Sequence, residues 1–431
     1  MCYAIPGKVK SIDGKEVKVD YYGEEKSAVN ELKNLEVGDF VYAQGGYVIE
    51  KVSPVEAQNV LETWKDLFFE LKGVDAATSK VDIGALADSD TKKILQKALD
   101  GSVFTDSEAL SLLGLEGGQN SELLYQTANH LRQKYHDNSC CVHGIVEISN
   151  ICGQGCLYCG ISTHNKSVVR YRMSKDEILA AVDKAVVTHG FKSLVLQSGE
   201  GAYEVDELAD IVRTIKEKYS LLICISFGEI GVEALTRLYE AGARAILMRF
   251  ESSNEALYAQ VCPGCDLKNR ISELEAAYKI GYLIMTGSLI GIPGQTGQDI
   301  VNDIKLASKL NAEMMSFGPF IAHTQTPLKD IPSVNEEAMF KVLSLARIMA
   351  PKQAKILVTT AFETISHNAR EKGLKAGASS VMLNVTPLAY RKLYSLYPNR
   401  AHEDETIFKQ IDDTVKLLMK LGRAPTDLSV K

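Results

Sequence analysis

Three cysteines, Cys152, Cys156 and Cys159, stand in the segment ISNICGQGCLYCGI with the spacing C-x3-C-x2-C. Thiolates are soft ligands matched to iron–sulfur clusters, and three of them this close together can hold three irons of a 4Fe–4S cluster. No fourth cysteine is near, so one iron stays open to an exogenous ligand. Zinc usually wants a fourth protein ligand, and His164 lies five residues beyond Cys159. Gly153, Gly155 and Gly160 let the loop wrap a bulky cluster and turn backbone amides toward its sulfurs.

The remaining cysteines pose separate questions. Cys2 follows the initiator Met. A thiolate at a chain end can hold a soft, low-valent iron and pass it to a partner, and removal of Met1 would add a chelating α-amine. Cys262 and Cys265, in VCPGCD, form a C-x2-C loop. It is open to reading as a redox pair, a metal site, part of a second cluster, or two unrelated thiols. Cys140 and Cys141 are adjacent, hard to pair with each other, and are read as structural.

The elements that position these residues change character along the chain. Residues 1–75 read as short strands with turns at Asp13-Gly14 and Gly23, closed by a helix over residues 54–72 that starts at Pro54. Residues 73–80 read as a linker, and residues 76–136 as a helical extension in which Thr105 and Glu108 form a capping-box pattern. Residues 137–431 alternate β-like runs (GIVEIS, SLVLQSG, LLICISFG, AILMRFE, LIMTGSLI, EMMSFG, AKILVTT, SSVMLN) with helical ones. Eight such alternations predict an α/β fold, a (β/α)8 TIM barrel, preceded by a small N-terminal β-barrel. Barrels of this kind carry chemistry at the C-terminal ends of their strands, and the three cysteines follow the first strand directly.

Composition excludes some functions. The chain has 431 residues and a net charge of −7, which argues against nucleic acid as a partner. No apolar run is long enough to span a membrane and no export signal is visible, so a cytoplasmic protein without membrane attachment is expected. Nine cysteines in such a compartment point to metal or redox chemistry before disulfides.

The cysteine motif, with Tyr158 before its last cysteine, resembles that of the radical S-adenosylmethionine superfamily. The resemblance implies that the open iron is chelated by the amino and carboxylate groups of S-adenosylmethionine. One electron then cleaves the sulfonium to give a 5′-deoxyadenosyl radical, which the protein positions and shields. From about residue 140 to 400, the segments YRMS, LVLQSGE, RFESSNEALY, GSLIGIPGQT, GPFIAHTQTPL, VTTAFETI, REKGLKAGASSVMLNVTP and YSLYP resemble the HydE group. That group matures FeFe-hydrogenase, and its relatives include methylornithine synthase and biotin synthase.

The resemblance implies roles for single residues. Tyr158, with Gln197, Ser198, Gly199 and Glu200 of QSGE, belongs to the S-adenosylmethionine site. Arg249 and Glu251, two apart and so on one face of a strand, would take its carboxylate and its amine or ribose, with Arg270 near the same carboxylate. Ile292, in IGIPGQT, would lie near the adenine, although the glycines there also serve simply to shape the turn. Thr359, Thr360, Met382, Tyr394 and Tyr397 would line the substrate cavity, together with Cys224 where the group has a threonine. Other departures are Ala245 for an arginine, Phe250 for the histidine of an Arg-His-Glu triplet, and no cysteine after Cys265.

The N-terminal segments MCYAIPGKV and VGDFVYAQGGYVIEKV resemble the HypC chaperone of NiFe-hydrogenase maturation, which uses its penultimate cysteine to hold an iron carrying CO and cyanide. Gln44 stands where that family has a histidine, and an amide is a poor metal ligand. The combined expectation is a radical enzyme that assembles an organometallic iron cofactor, with a mononuclear iron complex at Cys2. Its partners would be a small-molecule or organometallic substrate and other maturases. The alternatives are an amino-acid mutase or sulfur-insertion enzyme that uses the small domain for docking, and a non-catalytic cluster scaffold.

Overall fold

The computed structural model describes residues 5–85 and 89–429; Cys2 therefore lies outside the described residues. Five strands open the chain: β1 (Gly7–Asp13), β2 (Glu16–Tyr21), β3 (Glu24–Val29), β4 (Phe40–Gln44) and β5 (Tyr47–Val52). They close into a small barrel in the order β1-β2-β3-β5-β4. Alternation along β2 sends Val17, Val19 and Tyr21 inward, where they meet Val9, Val41 and Val48. The helix Pro54–Thr78 begins at Ser53, whose side chain accepts from the Glu56 N–H, and it lays Phe68 and Leu71 on this core.

The expected linker over residues 73–80 is not one. The helix continues through Gly73 to Thr78, and Asp75 is buried against Arg132, 2.6 Å away. Arg132 also donates to the Ser79 hydroxyl at 2.9 Å and to Asn129. A buried carboxylate needs this pairing, and meeting it holds the last helical turn in place. Arg132 belongs to the helix Gly118–His136, which ends the helical segment and leads into the large barrel. The Thr105–Glu108 capping box is formed as the sequence indicates.

The large barrel is built from β6 (Ser139–Ser149), β7 (Ser193–Ser198), β8 (Leu222–Ser226), β9 (Ala245–Leu247), β10 (Leu283–Thr286), β12 (Ala312–Met315), β14 (Lys355–Val358) and β15 (Ser380–Asn384). The short strands β11 (Leu289–Ile290) and β13 (Gly318–Pro319) pair with each other above it, and β16 (Ala424–Pro425) extends the start of β6. All eight barrel pairings are parallel, and β15 closes onto β6 from Ser380↔Cys141 to Asn384↔Ile145. These strands are the eight β-like runs of the sequence. Inside, Val195, Cys224, Ala245, Met285, Met314 and Leu357 belong to one packed cluster, a filled barrel rather than a pore.

The small barrel seats on the N-terminal ends of these strands. Gly45, in the β4–β5 turn, fits so closely that a Cβ there would stand 2.7 Å from Leu222 and 2.9 Å from Leu283, the first residues of β8 and β10. Around this contact the Tyr47 hydroxyl donates to the Gly281 carbonyl at 3.0 Å, Arg244 pairs with Glu31 at 2.9 Å, and Lys192 with Glu50 at 3.2 Å. The three-cysteine loop leaves the opposite end, after β6. Among the described residues, no helix is long and apolar enough to cross a membrane.

Candidate active site

The cysteine loop has no regular secondary structure, so its shape rests on backbone bonds to its surroundings. The Gly153 N–H donates to the Glu200 carbonyl at 2.9 Å, Leu157 to Val261 at 2.8 Å and Gly160 to Leu396 at 2.7 Å. Two glycines are required by space. A Cβ on Gly160 would meet the Ser395 carbonyl at 2.0 Å, and one on Gly199 would meet that of Ile151 at 2.1 Å. Arg170 clamps the far side of the loop by donating to the Ile161 and Ser162 carbonyls at 2.6 and 2.9 Å.

Cys152, Cys156 and Cys159 are all partly exposed. Burial pushes the thiols of Cys152 and Cys159 up. Cys156 is held below the usual thiol range by a hydrogen bond from Cys262, whose Sγ lies 3.5 Å away. Cys265 stands 3.2 Å from the Gln154 side chain. The VCPGCD loop therefore packs against the cluster loop, a proximity that sequence reading missed; the C-x2-C pair is the only local trace of it.

A cavity of about 290 Å³ opens beside the cysteines at the C-terminal ends of the strands, with Tyr158 and Cys159 in its wall. Gln197, Ser198, Arg249, Glu251 and Arg270 face it from one side. Arg249 and Glu251 lie 3.3 Å apart, and Glu251 has a positive φ of 62°, a strained backbone at a ligand-facing position. The contact with Arg249 is made by the buried Glu251 Oε2 without hydrogen-bond geometry, so this oxygen can still accept from a ligand amine or hydroxyl. Arg270 pairs with Glu229 at 2.7 Å and donates to the Arg249 carbonyl at 3.2 Å. Burial is the largest single influence and works against the Arg249 charge, but Glu251, Tyr158, Tyr397 and Cys159 together outweigh it and hold the guanidinium protonated.

Thr359, Thr360, Met382 and Tyr397 line the other side. Thr359 caps the helix Thr360–Ile365, accepting from the Phe362 N–H at 3.2 Å, so its own proton is free to be donated.

Other expected residues take different places. Cys224 sits one layer deeper, fully buried and 3.8 Å from the Met285 sulfur, and Ala245 belongs to the same packed layer. Neither reaches the cavity wall. Tyr394 is buried behind the wall, its carbonyl accepting from Arg400 at 2.5 Å. Ile292 is likewise buried outside it, in a turn shaped by positive φ at Gly291 and Gly294. Gly199 uses its N–H on the Ser149 carbonyl, and Glu200 accepts from the Glu229 N–H at 3.0 Å and from Gln154. These two residues brace loops and do not face the cavity.

The comparisons with known proteins agree with this geometry. The model of the radical SAM superfamily matches residues 146–307, and that of the HupF/HypC family matches residues 1–64. The [FeFe] hydrogenase maturase subunit HydE of Thermotoga maritima is 36% identical over 335 residues, 78% of this chain and 95% of that protein. The chain belongs to the HydE family of radical SAM enzymes. A 3-methylornithine synthase of Methanosarcina acetivorans is 26% identical over 80% of this chain and 96% of its own length. A solved methylornithine synthase shares the fold at a TM-score of 0.69 and 24% identity, covering 77% of this chain and 97% of that one.

The family's cofactors are a 4Fe–4S cluster and S-adenosylmethionine, and the site fits both. The donor set is three thiols on a glycine-shaped loop, and the adjoining cavity offers two arginines and a buried carboxylate oxygen that accepts no hydrogen bond. That is the chemistry an amino-acid carboxylate and amine require. Cys2, the expected iron-carrying residue of the HypC-like module, falls outside the described residues.

Proposed function

We propose that this enzyme acts in the assembly of an organometallic iron cofactor, as a HydE-type maturase with a built-in HypC-like iron carrier. The observation that carries the reading is the joining of a HydE-family barrel, complete in its three thiols and cavity, to a HypC-family module in one chain. Cys152, Cys156 and Cys159 would hold the cluster; Arg249, Arg270 and Glu251 would grip the amino-acid end of S-adenosylmethionine. When bound, this pair supplies a 5′-deoxyadenosyl radical. The chain's own part is to orient and enclose: Thr359, Thr360, Met382 and Tyr397 form the wall against which a substrate would rest.

Cys2 would carry the iron complex as cargo. The small barrel docks at the end of the large barrel opposite the cysteine loop, and packed side chains fill the interior between them. Delivery from Cys2 to the cavity therefore needs release to a partner or undocking of the module. Infrared spectroscopy tests this reading. Protein purified anaerobically from its host should show CO or cyanide stretching bands, and Cys2→Ala should lose them while keeping the cluster. Retention of Met1, or unchanged bands and full cofactor maturation in Cys2→Ala, would reduce the module to a docking unit.

A further inference from the structure

A second group of metal-type ligands lies at the base of the large barrel. Cys141 and His143 are two residues apart on β6 and so share its inward face. Asp427, just beyond β16, joins them. One ligand atom from each, a thiol sulfur, an imidazole nitrogen and a carboxylate oxygen, lie within 4.8 Å of one another, and all three residues are at most 3% exposed.

Ordinary packing does not account for the group. His143 Nδ1 is bonded to the Ser193 hydroxyl at 2.7 Å, which fixes the ring as partners of metal-binding histidines do. Its Nε2 is buried with no hydrogen-bond partner at all. The Asp427 carboxylate is oriented by the Thr426 hydroxyl at 2.7 Å and the Val142 N–H at 3.3 Å. These residues border a cavity of about 10 Å³, space for one ion or one water.

The far wall of that cavity belongs to the small barrel. Gln44, the last residue of β4, is 1% exposed, and its side-chain nitrogen also lacks a partner. The His143 nitrogen is the ligand-type atom of the two; Gln44 would face a cation with its oxygen after a half-turn of the amide. Charge points the same way. Lys355 is ion-paired with Glu313 in the same wall, and Asp427 adds a further negative charge. The group therefore carries one net negative charge with Cys141 as a thiol. A divalent cation that displaces the thiol proton to solvent brings it to zero.

We propose that Cys141, His143 and Asp427 bind one divalent transition-metal ion at the seam between the two barrels, with Gln44 closing the site. A thiolate, an imidazole and a carboxylate suit Zn²⁺ or Fe²⁺, whereas Mg²⁺ and Ca²⁺ prefer all-oxygen sites. Bond lengths of about 2.0–2.3 Å put tetrahedral ligand atoms roughly 3.3–3.8 Å apart, so pairs at the 4.8 Å limit of the present spacing close by about 1 Å on binding. The ion ties β6 to the module docked beneath it, and it lies at the opposite end of the barrel from the three-cysteine loop.

Cobalt titration of the full-length chain tests this. The background carries Cys2→Ala, Cys152→Ala, Cys156→Ala and Cys159→Ala, so that only other cysteines can bind. One equivalent of Co²⁺ should give a thiolate charge-transfer band and raise the thermal midpoint. Adding Cys141→Ala should abolish the band, and His143→Gln should weaken binding at least tenfold. Asp427→Asn, which keeps its shape, serves if Cys141→Ala does not fold. A band that survives Cys141→Ala but is lost with Cys262→Ser would overturn the proposal. So would the absence of any cobalt binding in the folded background, which would make the cavity a water site.

Discussion

The two ends of the large barrel both gather cysteines, but they are built in opposite ways. At the C-terminal end the three thiols are partly exposed, ride on an irregular loop and adjoin a cavity of about 290 Å³. At the N-terminal end Cys141 is buried on a regular strand, in a space of about 10 Å³ sealed by another domain. The first arrangement admits a large cofactor and lets it be exchanged. The second accepts a single ion at most and holds it. Both cysteine groups fall between Cys140 and Cys159 in the sequence; the length of one barrel strand, β6, turns that small separation into two different environments.

Matched glycine substitutions probe this contrast with the largest expected effect. Gly160→Ala drives a Cβ into the Ser395 carbonyl, a backbone atom that cannot move aside. It should cost the cluster loop its shape and at least tenfold in reconstituted iron, measured by iron and sulfide analysis. Gly45→Ala brings its Cβ against the ends of the Leu222 and Leu283 side chains, at a φ of +55°. It should destabilise by about 1–3 kcal/mol, seen in denaturant melts, and loosen the small barrel while cluster loading stays. Equal loss of cluster in both variants would break the separation of the two ends.

A smaller effect is expected at the cavity. Glu251→Gln keeps the shape but removes the negative charge facing Arg249 and replaces one acceptor oxygen by an NH2 donor. S-adenosylmethionine affinity should fall by roughly tenfold, as for loss of one charge-assisted hydrogen bond, in equilibrium binding to the reconstituted protein. Unchanged affinity would remove Glu251 from the site.

The smallest effect is a dependence on pH. His402 is bonded to Glu363 at 2.6 Å and Glu405 at 2.8 Å. Burial opposes its charge, but the two carboxylates outweigh this and its pKa is raised. The protonated ring therefore stabilises the fold fully below its unfolded pKa, and that contribution is lost as pH rises through the raised folded value. Thermal midpoints of the wild type should drop slightly across that window, and His402→Gln should remove the drop.

What the sequence reveals follows from the range of the interactions involved. The eight barrel strands are visible as separate apolar runs, and the cluster loop as one local motif, because each is encoded by adjacent residues. A cavity role for Cys224 misses by one layer, because depth inside a barrel depends on strand register and stagger, which no local pattern carries; Tyr394 lies beyond the strands, in the segment after the short helix Leu388–Arg391, where its carbonyl accepts from Arg400. The helical turn at Asp75 reads as a linker because its cause, Arg132, lies 57 residues away. Cys262 is 106 residues from Cys156, and Gln44 is also distant in the chain from Cys141, so both contacts appear only once the chain is folded.

The proximity of Cys262 to Cys156 also sets the most direct test of the central claim, that the three-cysteine loop alone ligates the cluster that cleaves S-adenosylmethionine. The measurement is 5′-deoxyadenosine formed by anaerobically reconstituted, reduced protein, by chromatography. Wild type and Cys262→Ser should both produce it, and Cys156→Ala should produce none. Product from Cys156→Ala, or its loss in a folded Cys262→Ser protein, would contradict the account.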